Sequence, residues 1–125
     1  MSNCPFCTLS LERIIDSNEF RVAIRDGFPV SPGHTLVIPK RHIGSWFEIS
    51  NDEQRGLLDL LARAKTDLQE EFKPDGYNIG INDGPAAGQT VPHLHMHLIP
   101  RYKGDQEDPR GGVRWIIPEK AKYWE

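Results

Sequence analysis

The chain has 125 residues, enough for one domain with a single modest core. Its 15 Lys and Arg against 18 Asp and Glu leave a formal charge of −3, which excludes the basic footprint of a sequence-independent nucleic-acid binder. Hydrophobic residues at 38% and charged residues at 26% set it apart from disordered chains, no apolar run reaches the ~18–20 residues of a membrane span, and Met1-Ser2-Asn3-Cys4-Pro5 has neither the charged nor the apolar region of a leader, so a cytoplasmic location is expected.

Glu12 to Asp16 and Phe20 to Arg25 alternate apolar and polar residues around Ser17-Asn18-Glu19, which predicts a β-hairpin. After breaks at Asp26-Gly27-Phe28-Pro29 and Ser31-Pro32-Gly33, His34 to Pro39 reads as a third strand ended by Pro39. Ser50-Asn51-Asp52-Glu53 is a capping-box pattern, and Leu57, Leu61, Ala64, Leu68 and Phe72 recur at helical spacing, predicting a helix over Asn51 to Phe72. The turn Lys73-Pro74-Asp75-Gly76 leads to a fourth strand, Tyr77 to Asn82, then a glycine-rich loop, then a fifth strand from Val91 to Pro100. Residues 101–125 form a C-terminal tail whose Trp115, Tyr123 and Trp124 are too many large rings for a loose end. The whole chain, 1–125, is thus expected to be a single α+β domain: a five-stranded antiparallel sheet with one long helix packed on it.

His93-Leu94-His95-Met96-His97-Leu98-Ile99 is the most informative stretch. On a strand, successive side chains alternate faces, so the imidazoles share one face, about 7 Å apart at ~3.3 Å per residue, while Leu94, Met96 and Leu98 face the core. Three histidines in that alternation point to a metal site or to a nucleophilic histidine steered by its neighbours. Cys4-Pro5-Phe6-Cys7 has the spacing of a metal knuckle or a redox pair, but a redox pair belongs in a βαβ unit. As half of a tetrahedral zinc site it needs two more ligands, for which His42 and His93 are candidates. The loop from Asp83 to Thr90 brings backbone N–H groups and the Gln89 and Thr90 side chains to an anion, although Gly84 and Gly88 lie too close for a Walker loop.

The run from His93 to Ile99 resembles the signature of the histidine triad family of nucleotide hydrolases and transferases, with every apolar slot filled. Gly33 to His42 resembles that family's upstream strand, and Asn82-Asp83-Gly84 with Gly88-Gln89-Thr90 its phosphate loop, so the resemblance covers roughly residues 4 to 103. It implies that His95 attacks the α-phosphorus to form a nucleotidyl-histidine that water resolves. It further implies that His97 binds phosphate and assists the leaving group, with His34 behind it, that Gln89 contacts the phosphate chain, and that Asp26 meets the ribose. Asn82, Gly88 and Thr90 complete the implied substrate contacts. The branch with an N-terminal Cys-x-x-Cys implies structural zinc on Cys4, Cys7, His42 and His93, and the family implies a homodimer. Adenine dinucleoside polyphosphates are the expected substrates. The alternatives are adenosine phosphoramidates, a zinc-stabilised nucleotide-binding module without turnover, and a zinc hydrolase with His93, His95 and His97 as ligands.

Overall fold

The computed structural model describes residues 4–125; Met1 to Asn3, on which part of the leader reading rests, lie outside the described residues. β1 (Ile14–Asn18) and β2 (Arg21–Arg25) form the expected hairpin, displaced toward the C-terminus. A 3-10 turn occupies Leu11–Arg13, and the chain reverses at Glu19 and Phe20 instead of Ser17-Asn18-Glu19. A bulge causes the offset: Ile14 pairs with Ile24 but Asp16 with Ala23, leaving Ile15 as the extra residue that breaks the alternation.

β3 (Thr35–Pro39), α1 (Asn51–Glu71), β4 (Gly76–Gly80), β5 (Met96–Arg101) and a short α2 (Pro118–Ala121) follow. The sheet order is β1-β2-β3-β5-β4 and every neighbouring pair is antiparallel, which is the expected α+β architecture. No helix among the described residues is long and apolar enough to cross a membrane.

α1 starts where its side chains satisfy its own backbone. Ser50 Oγ accepts the Glu53 N–H at 3.1 Å and Glu53 Oε1 accepts the Ser50 N–H at 2.9 Å. Arg41 donates to both Glu53 oxygens at 2.9 and 3.2 Å, and this pairing, with the Ser50 N–H, holds the Glu53 carboxyl at about 2. The loop beside His42 is thereby fastened to the helix start. Phe72 caps the helix through its N–H to Leu68 O, and Lys73 turns left-handed at φ 51°.

Leu57, Leu60, Ala64 and Leu68 press on one face of the sheet, where Ala23, Val37, Leu94, Met96 and Leu98 meet them. Leu60 takes the buried place that the spacing gave to Leu61, which is half-buried. On the opposite face Val22, Ile24, Leu36 and Ile38 are covered by Phe6, Leu9 and Ile14 from the N-terminal segment. His97, paired with Leu36, faces that second side.

The fifth strand is shorter than its apolar pattern predicts. It begins at Met96, and His93, Leu94 and His95 form an irregular lead-in in which Leu94 N–H bonds Ile43 O and His93 N–H bonds Val91 O. Neighbouring ladders end at Val37 and Gly80, so these residues have no strand to pair with on either side. The three imidazoles therefore do not stand in one row.

Removing the Glu53 side chain breaks both the capping box and the Arg41 pair, so Glu53→Ala is expected to cost about 1–2 kcal/mol at pH 7, against about 1 kcal/mol for Ser50→Ala. Because the folded carboxyl is held below its usual 4.5, the pH-dependent part of this contribution is present above pH 4.5 and lost as pH falls toward 2. Urea midpoints of the two variants at pH 7 and pH 3 check both the order and the sign.

Candidate active site and metal cluster

Gly33, left-handed at φ 88°, turns the chain into β3; a Cβ there would lie 2.8 Å from Leu68 Cδ2, so glycine lets the turn sit against α1. The next residue, His34, is buried, and its Nδ1 accepts the Val30 N–H at 3.1 Å. A neutral His34 must then carry its proton on Nε2, which lies 2.9 Å from His97 Nδ1 and 3.4 Å from Asp26 Oδ2. His34 Nε2–H donates to His97 Nδ1, which leaves the His97 proton on Nε2. His95 is set the other way round: its Nδ1–H donates to the His93 carbonyl at 2.8 Å, so its Nε2 carries the lone pair. The His95 and His97 rings are 5.2 Å apart between centroids. The site thus presents one nitrogen lone pair and, beside it, one neutral N–H donor.

Burial keeps this relay neutral. Desolvation pushes His34 down against the opposing pull of Asp26, and desolvation together with the neighbouring His95 and His34 pushes His97 down to about 4.

A second constellation lies at the other end of the lead-in. Cys4, Cys7, His42 and His93 bring one donor atom each within 4.8 Å of one another. Cys4 Sγ is 3.3 Å and Cys7 Sγ 3.5 Å from His93 Nδ1, Cys7 Sγ is 3.2 Å from His42 Nδ1, and the two Nδ1 atoms are 3.2 Å apart. His93 is buried, and its Nε2–H donates to Pro39 O at 2.8 Å, which fixes the tautomer that turns the Nδ1 lone pair toward the sulfurs. Four protein donors of this kind could hold a metal ion with no position left for water. Phe6, between the two cysteines, sets its ring edge-on to His93 at 5.8 Å and tilted against His95 at 5.0 Å.

The HIT domain model matches residues 10–104 of this sequence, an interval that contains both the relay and two of the four metal-type donors. The chain belongs to the HIT domain family. It is 39% identical over 108 residues to the Bacillus subtilis protein hit, covering 82% of this chain and 74% of that one. It is 31% identical over 118 residues to the Saccharomyces cerevisiae bis(5'-adenosyl)-triphosphatase, covering 94% of this chain and 54% of the yeast enzyme. A HIT family crystal structure from Bacillus subtilis superposes at TM-score 0.75 with 36% identity, over 82% of this chain and 76% of that one. A zinc-bound histidine triad family protein from Mycobacterium smegmatis superposes at 0.75 with 35% identity, over 85% and 80%.

In this HIT protein the residues singled out by sequence fall into three groups. His34, His95 and His97 come together with Asp26, whose Oδ1 also accepts the Phe28 N–H at 2.9 Å. Cys4, Cys7, His42 and His93 come together apart from them, so His93, His95 and His97 do not converge on one point as a three-histidine metal site requires. A further set of potential ligands, Asp26, His34 and His97, has its central nitrogen committed as a donor to His97.

The loop residues behave less as expected. Gln89 Oε1 accepts the Gly84 N–H at 2.8 Å and its Nε2 donates to Gly44 O at 3.0 Å and Val91 O at 3.2 Å, so the amide is spent on bracing the loop. Asn82, Gly88 and Thr90 are exposed along the same loop. Asp83, part of the loop motif but given no role by the sequence, ties it down by accepting from Ser45 Oγ at 2.9 Å and from the Trp46 N–H at 3.0 Å. Phe6 was likewise given none; the signal was its place inside the cysteine pair.

The relay carries a pH signature. Between pH 6.5 and about 4 the unfolded chain takes up a proton at His97 that the folded chain refuses, so this contribution is complete above pH 6.5 and declines as pH falls toward 4. Each such group steepens the loss by at most about 1.4 kcal/mol per pH unit. His97→Gln is expected to flatten the stability–pH profile across this window, measured as urea midpoints from pH 7 to pH 4.5.

Proposed function

We propose that this HIT protein is a nucleotide hydrolase or nucleotidyl transferase acting at the α-phosphate of adenine dinucleoside polyphosphates through a nucleotidyl-His95 intermediate. The observation that carries the reading is the opposed hydrogen bonding of neighbouring rings, with His95 Nδ1 on the His93 carbonyl and His34 Nε2 on His97 Nδ1, from which His95 is assigned a lone pair on Nε2 and His97 a proton there. His95 Nε2 attacks phosphorus and forms the N–P bond as the bond to the leaving phosphate oxygen breaks. His97 Nε2–H stands where it donates to an oxygen of the phosphate chain, stabilising charge that develops on the leaving group. Water then attacks phosphorus, the N–P bond breaks, and AMP and the original His95 are restored. Asp26, within 3.4 Å of His34 Nε2, holds that ring and offers its carboxylate to the ribose diol. Thr90 and the backbone of the loop around Gly88 meet the phosphates, with Asn82 at the loop's start and Gln89 holding its shape.

We infer that the metal is zinc, held by Cys4, Cys7, His42 and His93. With Zn–S near 2.3 Å and Zn–N near 2.0–2.1 Å, a tetrahedron has edges of about 3.3–3.8 Å, close to the 3.2–3.5 Å of four of the six separations between these donor atoms, all of which lie within 4.8 Å. The chemistry supplied by such an ion is structural: it ties the N-terminal segment and its Phe6 to the residue whose carbonyl orients His95. A homodimer, with a cytoplasmic location, completes the reading. Among the described residues β4 is an edge strand of the sheet and Leu58 on α1 is 47% exposed, which offers a second copy a strand edge and apolar surface.

Intact-mass analysis tests the chemistry: wild type and His95→Ala are mixed briefly with diadenosine tetraphosphate or adenosine phosphoramidate and quenched in denaturant. An adenylyl adduct and AMP with wild type alone are expected, faster with the dinucleotide; faster reaction with the phosphoramidate moves the substrate assignment, and absence of both adduct and AMP while nucleotide binds leaves a binding module. His97→Gln is expected to retain the nucleophile but react roughly 10²–10⁴-fold more slowly.

The metal reading has its own check. Wild type is expected to hold one zinc per chain by elemental analysis, and Cys4→Ser to lose it with a fall in melting temperature. A zinc-free wild type that melts unchanged would contradict it.

A further inference from the structure

Past His97, the same face of β5 carries Ile99 and Arg101, opposite Asn78 and Gly76 of β4. Over this stretch lies a cavity of about 580 Å³, walled by Val30 and Pro32 on one side and by Trp115 and Gly112 of the tail on the other. That volume is in the range of small-molecule sites. Its lining starts at Ile99, two residues beyond His97 and about 7 Å along the strand.

The walls are fixed in place. Ser31 Oγ donates to Pro100 O at 2.7 Å and Tyr102 OH to Pro32 O at 2.7 Å, which bind the Val30–Pro32 loop to β5. In the tail, Trp115 Nε1–H donates to Arg110 O at 2.8 Å, Arg114 Nε to Ala121 O at 2.9 Å, and the Arg110 guanidinium lies 4.5 Å over the Trp124 ring. Trp115 is held by these bonds yet remains 39% exposed.

The charge in the lining is already spent. Arg101 Nε and Nη2 donate to the Asp105 carboxylate at 2.8 and 2.9 Å and its Nη1 to Asn78 Oδ1 at 2.6 Å, while Asp108 is paired with Arg110 at 3.0 Å. A phosphate would find no uncommitted cation here. A neutral, flat group with hydrogen-bond acceptors suits the space: an aromatic face in Trp115, an aliphatic floor in Ile99, and the Asn78 amide, whose oxygen is taken by Arg101 and whose NH2 is turned toward Gly112. Gly112 has φ 48°, and a Cβ there would come within 3.4 Å of the Asn78 nitrogen.

We propose that this cavity receives the second nucleoside of the dinucleoside polyphosphate, the one that leaves with the departing phosphates, and that Trp115 stacks on its base. The assignment rests on the reading of His95 as the nucleophile, which puts the departing chain on the His97 side of the site.

Two hydrolysis-resistant ligands separate the pocket from the rest of the site: a diadenosine tetraphosphate analogue with methylene in place of the α,β-bridging oxygens, and the matching ATP analogue, which has the same adenylyl half and no second nucleoside. Each is titrated into the full-length chain by calorimetry. Wild type is expected to bind the dinucleotide about tenfold more tightly, and Trp115→Ala and Ile99→Gln each to bring the two affinities within about twofold by weakening only the dinucleotide, since stacking of one base on an aromatic ring is worth about that factor or more. If Trp115→Ala weakens both ligands alike, or neither, the pocket assignment is overturned while the nucleotide reading stands. If wild type binds neither analogue, the nucleotide reading falls and the pocket falls with it.

Discussion

His93 makes two hydrogen bonds on which both constellations depend. Its ring Nε2–H is held by Pro39 O at 2.8 Å, and its own carbonyl holds His95 Nδ1–H at the same distance. The first bond turns Nδ1 toward Cys4, Cys7 and His42; the second turns the His95 lone pair outward. Both demand that the chain leave the β3–β5 ladder before Met96, because in a continuing antiparallel strand the His93 carbonyl would be directed across to a neighbour. The β3–β5 ladder stops at Val37 and Met96, so the Pro39 carbonyl at the end of β3 meets no strand N–H and accepts the side chain instead. A buried imidazole N–H without that acceptor would cost about 1–3 kcal/mol.

From this bend the division of labour among the histidines follows. His93 serves the metal-type cluster and the backbone, His95 offers a lone pair, and His97 receives a proton-bearing neighbour in His34. The rings could not exchange places. His34 is confined to the Nε2–H tautomer by the Val30 N–H, and that constraint passes through one hydrogen bond to His97. Phe6, touching both His93 and His95, joins the cysteine segment to the same group, so the placement of Cys4 to Cys7 and that of the His95 ring are coupled.

Much of this was legible in the sequence, and the parts that were not share a cause. The helix was readable because its signals are local: Ser50 and Glu53 cap it, and its buried leucines recur at fixed spacing. The converging of Cys4, Cys7, His42 and His93 was readable from ligand chemistry and from the resemblance. The bulge at Ile15 and the late start of β5 were not, because both depend on which residues the neighbouring strands leave unpaired. The partners of Gln89 were hidden for the same reason: an amide next to a glycine loop is as able to bind the loop's own backbone as an anion, and only the fold puts Gly44 O and Val91 O within its reach. In the tail, Trp115 and its neighbours announced that they would be packed, while the cavity beside them exists only once β5 and the Val30–Pro32 loop are in place.

The central claim is the opposed protonation of His95 and His97, and long-range ¹H–¹⁵N NMR of the histidine rings at pH 7 measures it directly. His34 and His97 are expected to carry their protons on Nε2 and His95 on Nδ1. A His95 protonated on Nε2, or a His97 protonated on Nδ1, would contradict the assignment of one as the nucleophile and the other as the donor.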